Sequence, residues 1–132
     1  MFSCMVPRSH QGTHTHERVS KKFTKRPRYV YAFDSFSGMP PPGINDTSSQ
    51  GIHAESTGWG TGTCAAPVES VMEITSQLGA LDLLCTVKGY FEDTLHHYSA
   101  KIPEIALLHL DGDWYESTKT CLLYTSDAAD DA

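Results

Sequence analysis

The sequence predicts an α/β fold, namely part of a doubly wound, mostly parallel sheet flanked by helices. Short apolar runs alternate along the chain with segments of helical spacing, and such alternation implies right-handed crossovers between parallel strands. In addition, the apolar run 105–110 ends abruptly in two carboxylates, Asp111 and Asp113. Ligands of open α/β sheets bind beyond the carboxyl ends of the strands, so we expect these acids to lie where the chemistry takes place.

The first predicted element is a strand at 29–33, a β-branched and aromatic run bounded by Pro27. A long loop follows, because three prolines within 38–43 remove backbone donors and the residues up to Thr63 are rich in Gly, Ser and Thr. Loops of this length are usually functional lids or binding loops. Trp59 is expected to be its large apolar anchor, although simple packing would also account for this residue.

Five further elements are expected after the loop. They are, in order, a helix at 68–78, a strand at 81–87, a helix within 89–95, a strand at 105–110 and a helix that begins at Ser117. Gly79 stands where a C-terminal cap of the first helix belongs. Asp93 or Thr94 is able to cap the second helix at its N-terminus.

Charge divides the chain into segments of opposite sign. Residues 1–28 carry a net charge of +6 and residues 29–120 a net charge of −9. We interpret 1–28 as a basic, disordered leader or a loop, and 29–120 as a partial catalytic domain. A nucleic-acid arm and a transit peptide remain alternatives for the basic segment, although it lacks interleaved aromatic residues. The sequence holds no apolar run of the kind that a signal peptide or a membrane span requires.

The last segment, 121–132, has a different origin from the rest. It matches, codon for codon, a translated transposon-type sequencing adapter, so we expect it to be a library artefact and exclude it from fold reasoning. The true protein is then expected to continue beyond residue 120. Of the other cysteines, Cys4, Cys64 and Cys85 form no CxxC pair, which favours thiols in a reducing compartment and a cytoplasmic protein.

Two motifs suggest a nucleotide-like cofactor. Asp34 follows the first predicted strand, where an acid can accept hydrogen bonds from ribose hydroxyls; alternatively, its side chain only caps the turn. The second motif is the turn at 89–95, where Asp93 could border an adenine pocket or simply cap a helix.

The third motif, at 110–118, suggests a metal. Asp111 and Asp113 present hard oxygen ligands of the kind that Mg²⁺ prefers. A structural turn is the alternative for Asp111, but two acids separated by one glycine after an apolar strand favour a ligand role.

Taken together, these motifs resemble those of the TylF/MycF-type macrocin O-methyltransferases. The chain contains, in the order and at the spacing of that family, FDSFSGMP at 33–40, W-x-TG at 59–62, VKGYFEDTL at 87–95 and LHLDGDWYEST at 108–118. The resemblance covers 29–120 and implies a Rossmann-like class I methyltransferase fold. It also implies transfer of a methyl group from S-adenosylmethionine (SAM) to a hydroxyl of a small molecule, such as a sugar or natural product, with a divalent cation, usually Mg²⁺.

The resemblance also implies roles for individual residues. Asp34 is similar to the acid that binds the SAM ribose, and Ser35, Phe91 and Asp93 are expected to border the cofactor. Asp111 is similar to the first metal-ligating aspartate, which lies beside the reacting hydroxyl, and Asp113 is the adjacent candidate ligand. The expected partner is a small-molecule hydroxyl acceptor, with no membrane or nucleic-acid partner; a homo-oligomer of the full-length protein stays open.

Two motifs of the family pattern are not found in this sequence. The glycine-rich turn that would hold the methionine part of SAM should precede residue 29, but 1–28 contain only Gly12. Further metal-binding aspartates are expected downstream of residue 120. We therefore expect the parent protein to be the enzyme, and this chain alone to bind SAM and metal weakly and to be inactive.

Two other functions remain open at this stage. An apolar strand followed by DxD also occurs in haloacid-dehalogenase-type phosphatases, where Asp111 would be the nucleophile and Asp113 the acid/base, and in metal-dependent glycosyltransferases. Trp114 and the position of the motif late in the domain do not fit the phosphatase pattern. The other alternative is a non-catalytic fragment whose basic arm binds acidic partners.

Overall fold

A four-stranded sheet with helices packed on it forms the part of the chain that the structure, a computed structural model, describes: residues 3–7, 28–102 and 104–130, with the side chains of 28–102 and 104–125. The strands are β1 (Ser3–Pro7), β2 (Val30–Asp34), β3 (Leu84–Lys88) and β4 (Ile105–His109). The helices are α1 (Val68–Gln77), α2 (Phe91–Tyr98) and α3 (Tyr115–Asp130). Three short 3-10 turns lie at Ala54–Thr57, Leu81–Leu83 and Ser99–Lys101.

The strand order is β3-β2-β1-β4. β2 and β3 run parallel, in a register that pairs Val30 with Leu84 and Asp34 with Lys88, whereas β1 runs antiparallel to both β2 and β4. The predicted α/β class is thus confirmed, but the sheet is mixed, with a central antiparallel strand. Because β2, β3 and β4 all point the same way, their carboxyl ends meet at one edge of the sheet.

β1 corrects the prediction that the N-terminal segment contains no strand. Ser3–Pro7 pairs on both sides, with Cys4 opposite Ala32 of β2 and opposite His109 of β4. A strand of only five residues forms because it pairs with a strand on each side. Its own sequence is too short to show the alternation of apolar and polar residues that would predict a strand. The register shifts between Val6 and Pro7, in keeping with the missing N–H of proline. Residues 8–27 of the predicted leader lie outside the described residues.

The core lies where α2 and α3 pack against the centre of the sheet. β2 is buried from Tyr31 to Asp34, as expected for a strand paired on both edges and covered by helices. Four residues of α2 face inward at helical spacing, with Tyr98 partly buried and the others fully: Phe91, Thr94, Leu95 and Tyr98. The Tyr98 ring meets the fully buried Phe33 edge to face, at 5.4 Å between centroids.

The predicted helix at 68–78 is confirmed as α1, and Gly79 follows it at φ +66°. No side chain of α1 is buried, and Ile74 within the helix and Leu78 at its C-cap are both largely exposed. The predicted cap of α2 is wrong. Tyr90 occupies the N-cap position without a side-chain bond, and Thr94 instead donates its hydroxyl proton to the Tyr90 carbonyl at 2.9 Å.

The 38–63 loop is folded back on itself between β2 and α1. The N–H of Met39 donates to the Thr63 carbonyl and the N–H of Gly62 donates to the Met39 carbonyl, both at 2.9 Å. Gly38 makes this closure possible: it has φ +85°, and a Cβ there would lie 2.5 Å from the Gly62 carbonyl oxygen. In the described part of the chain, no helix is long and apolar enough to cross a membrane.

We expect Gly38→Ala to destabilise the chain more than Gly51→Ala. Both glycines have a left-handed φ, which costs an L-residue about 1–2 kcal/mol. Only at Gly38 does the new methyl group meet backbone, since nothing lies within 4 Å of a Cβ at Gly51. The clash should add about 1–3 kcal/mol.

Urea unfolding of the two variants beside the parent chain measures this difference. Equal losses of unfolding free energy in the two variants would show that the close approach of Gly38 to Gly62 does not hold the loop closed.

Candidate functional site

Three aspartates follow strands that end at the same edge of the sheet. Asp34 is the last residue of β2, and Asp111 and Asp113 follow β4 by two and four residues. Burial raises the pKa of Asp113, and the negative charges of Asp111 and Asp34 raise it further. β2 and β4 run in the same direction on either side of β1, so acids that are far apart in sequence follow strands that end at the same edge of the sheet.

Asp34 is held by a turn. It is 9% exposed, and its Oδ1 accepts a hydrogen bond from the N–H of Phe36 at 2.7 Å. Its carbonyl accepts from the N–H of Gly89 at 3.0 Å, which ties the end of β2 to the turn before α2. The turn-capping role is therefore present.

The other residues predicted to border the cofactor, Ser35, Phe91 and Asp93, lie in three different environments. The Ser35 hydroxyl donates to the Gly38 carbonyl at 3.0 Å and thereby supports the turn into the loop. Phe91 belongs to the core, and Asp93 is exposed on the first turn of α2. Ser35 and Phe91 line a shared crevice of only about 10 Å³, room for about one water molecule. That crevice is not a cofactor pocket.

A tight turn carries Asp111 and Asp113 from β4 into α3. Gly112 is buried in it, and a Cβ there would lie 2.6 Å from the Thr118 hydroxyl oxygen. Asp113 has φ +50°, an uncommon conformation for an L-residue that Asp and Asn tolerate best. Both aspartates are exposed, so their carboxylates are accessible to a ligand.

The predicted metal ligands do not form a complete metal site by themselves. Among the described residues, no group of three or more His, Cys, Asp or Glu side chains is arranged to hold a metal ion. Asp111 and Asp113 offer two carboxylates, whereas Mg²⁺ takes six oxygen ligands, several of them usually waters. What the turn provides is a pair of hard oxygen donors beside a cavity.

That cavity lies between the 38–63 loop and the turn after β4, and its volume is about 770 Å³. This is within the usual range for small-molecule sites. Its walls combine aromatic and apolar side chains with polar ones, and include Met39, Asp46, Ile52, Trp59, Asp113 and Trp114. Asp113 is thus the one predicted site residue that lines it.

Two long-range hydrogen bonds join the walls of this cavity. Trp114 donates its indole N–H to the Pro40 carbonyl at 2.9 Å, and the Tyr115 N–H donates to Oδ1 of Asp46 at 2.8 Å. Sequence reasoning missed Asp46, since an Asp in a Gly/Asn-rich loop resembles any turn residue. It also gave Trp59 a role that the structure corrects: Trp59 is 55% exposed and does not anchor the loop.

We expect Asp113→Asn to stabilise the chain at neutral pH and to leave its stability in acid unchanged. The pKa of Asp113 is raised in the folded state above its ordinary 3.8, so folding holds this proton more tightly than the unfolded chain does. The free energy of unfolding therefore falls as pH rises from the ordinary pKa of the unfolded chain through the raised pKa of the folded chain. Above the folded-state pKa this loss of stability is complete. Asparagine removes the charge and accepts the same backbone conformation.

Thermal unfolding of the parent chain and the variant between pH 3 and pH 8 tests this. Asp82→Asn, at an exposed acid in the turn before β3, is the control for the general effect of net charge. A gain in Tm for Asp113→Asn no larger than that for Asp82→Asn at every pH would contradict the prediction.

Comparison with known proteins assigns the chain to a family. The model of the macrocin-O-methyltransferase (TylF) family matches residues 16–128. A curated protein of Streptomyces olivaceus, 8-demethyl-8-(2,3-dimethoxy-alpha-L-rhamnosyl)-tetracenomycin-C 4'-O-methyltransferase, is 34% identical over 99 residues, which make up 72% of this chain and 35% of that protein. This chain therefore spans about a third of that relative. No solved structure matches significantly. By this match the chain belongs to the macrocin-O-methyltransferase (TylF) family.

Proposed function

We propose that the protein to which this chain belongs is an O-methyltransferase that uses SAM and a divalent cation, Mg²⁺ first, to methylate a hydroxyl of a small molecule. Family membership carries the reaction type. The observation that supports the site is the position of Asp34, Asp111 and Asp113 after strands that end at one edge of the sheet, where Asp113 lines a cavity of about 770 Å³. The phosphatase and glycosyltransferase alternatives lack such support.

The donor set suits the proposed cation. The negative charges of Asp111 and Asp34 disfavour the ionised form of Asp113, and a cation held by Asp111 and Asp113 would offset that repulsion. When bound, the cation lowers the pKa of the acceptor hydroxyl and orients it. Asp111 and Asp113 hold and orient the cation in this proposal, and their remaining partners are waters, substrate oxygens or groups outside the described residues.

Asp34 has a binding role in the proposal. Its carboxylate accepts hydrogen bonds from the ribose hydroxyls of SAM while it keeps its bond to the Phe36 N–H. The methyl group must lie in line with the acceptor oxygen, and a fixed ribose at β2 with a fixed hydroxyl at β4 supplies that alignment. The 38–63 loop forms one wall of the cavity, and displacement of water from it by a bound substrate would strengthen the electrostatic interactions within it.

The acceptor class follows from the relative. The name of the Streptomyces olivaceus protein describes a 4'-O-methyltransferase of a rhamnosyl-tetracenomycin, so we propose a hydroxyl on a sugar or natural product as acceptor. The proposal includes a cytoplasmic protein, with neither a membrane nor a nucleic acid as partner and with a homo-oligomer as its assembly.

A chimera makes these proposals testable, since the chain spans only about a third of that relative. In the chimera, this chain's residues replace the segment of the Streptomyces olivaceus protein with which they align. The unmodified relative serves as the positive control, and circular dichroism establishes that the chimera is folded.

We expect Asp34→Ala in the chimera to weaken SAM binding. Hydrogen bonds to a charged group contribute about 1.5–3 kcal/mol, which corresponds to a rise in Kd of roughly 10- to 100-fold. Isothermal titration calorimetry with SAM measures the effect, and Asp82→Ala is the matched control because it removes an exposed acid far from the cavity. A Kd within twofold of the parent value would remove Asp34 from the cofactor site.

We expect Asp111→Asn in the chimera to lower kcat/KM for methyl transfer by roughly 10³-fold, because cation-dependent activation of the hydroxyl contributes several kcal/mol. Transfer is followed with radiolabelled SAM over a range of Mg²⁺ concentrations. Asp82→Asn, at an exposed acid in the turn before β3, is the control. Undiminished turnover in Asp111→Asn, or a parent rate that is independent of Mg²⁺ after treatment with a chelator, would overturn the metal assignment.

A further inference from the structure

We infer that Asp46 is a positioning residue: it fixes the 38–63 loop to the first turn of α3 and thereby sets where Asp113 stands in the cavity. The inference rests on the proposed function for its catalytic meaning, since it assumes that Asp113 acts in that cavity. Neither the family match nor the sequence motifs assign a role to Asp46, which is 8% exposed in the middle of a loop of polar composition.

The carboxylate of Asp46 joins two segments. Its Oδ2 accepts a hydrogen bond from the N–H of Gly43 at 2.6 Å, within its own loop. Its Oδ1 accepts from the N–H of Tyr115 at 2.8 Å, 69 residues away in sequence. The backbone of Asp46 is also fixed, because its carbonyl accepts from the N–H of Ala54 at 2.8 Å. A buried carboxylate with this many bonds has one well-defined position.

The hydrogen bond between Asp46 and the Tyr115 N–H lies at the N-terminus of α3. Tyr115 is the first residue of α3, so its N–H is among the donors that have no partner within the helix. A negative charge at this end is favoured by the helix dipole, and a charged acceptor makes a stronger hydrogen bond than a neutral one. Asp46 thus caps α3 from a distant loop.

This cap lies two residues from Asp113. Trp114, between Asp113 and Tyr115, is tied to the same loop through its indole N–H and the Pro40 carbonyl. The two residues that follow Asp113 are therefore both hydrogen-bonded to the loop, Trp114 to Pro40 and Tyr115 to Asp46. Because Asp46, Asp113, Trp114 and Tyr115 all line the cavity, the loop wall and the aspartate wall keep a fixed separation.

The competing interpretation is that Asp46 only stabilises its own turn through the bond to Gly43. The two interpretations differ in what Asp46→Ala changes. A local role affects the loop alone, whereas a positioning role affects the amide of Tyr115 and the surroundings of Asp113. Glu55→Ala is the matched control, because Glu55 is an exposed acid of the same loop region.

The experiment is amide hydrogen exchange and NMR spectroscopy of this 132-residue chain and its variants. In Asp46→Ala we expect the exchange rate of the Tyr115 amide to rise at least tenfold, with shifts of the Trp114 indole N–H and the Asp113 amide resonances. Glu55→Ala should leave all three unchanged. Asp46→Asn, which keeps one oxygen acceptor, should restore part of the protection and also serves as the test variant if Asp46→Ala fails to fold.

Unchanged Tyr115, Trp114 and Asp113 signals in a folded Asp46→Ala or Asp46→Asn variant, together with a shifted Gly43 amide, would overturn the inference in favour of the local role. A second readout uses the chimera: Asp46→Ala should lower kcat with little change in the KM for SAM, whereas a loss confined to the KM for SAM would contradict the inference. An inactive parent chimera refutes the proposed function and leaves the exchange experiment to decide on Asp46.

Discussion

The burial of Phe33 is the constraint on which the remaining geometry depends. It has no exposed surface, lies on a strand paired on both edges, and meets Tyr98 of α2 edge to face. This contact fixes α2 against the sheet, and the next residue, Asp34, then stands at the carboxyl edge. Since β3 and β4 end at that edge too, burying one aromatic side chain sets the position at which the site residues assemble.

The site itself is locally unfavourable, as functional sites often are. Phe36 and Asp113 both have positive φ, and the charge of Asp113 is opposed by partial burial and by two neighbouring acids. These costs fall on the two turns that leave β2 and β4, while β2 itself is regular and paired on both edges. Rigid strands that hold strained, acidic turns are the arrangement expected for a scaffold that presents a reaction site.

The long loop gains its order from a few specific bonds. Ordering some twenty-five residues without regular structure costs conformational entropy, and few of its side chains are buried deeply enough to offset it by burial. Instead, the loop is closed at its ends by Met39 and Thr63, and fixed to α3 by Pro40 and Asp46. The same bonds form the wall of the cavity, so the stability of the loop and the shape of the cavity have a common origin.

The sequence by itself determined the elements whose signals are local. The strands β2, β3 and β4 and the helix α1 with Gly79 at its end follow from periodicity and caps within a dozen residues. The family follows from the resemblance of short motifs, which the family match confirms. The sequence also indicated that Asp34 follows one strand and that Asp111 and Asp113 follow another. Their roles in binding SAM and metal are still predictions.

Only the tertiary structure decided the features that depend on distant partners. β1 is a strand because two neighbours pair with it, and the antiparallel direction of β1 makes the sheet mixed. The exposure of Trp59 and the capping of α3 by Asp46 also depend on how distant parts of the chain pack together. A hydrogen bond between residues 69 positions apart leaves no trace in local sequence, since its acceptor could serve any donor that the fold brings near.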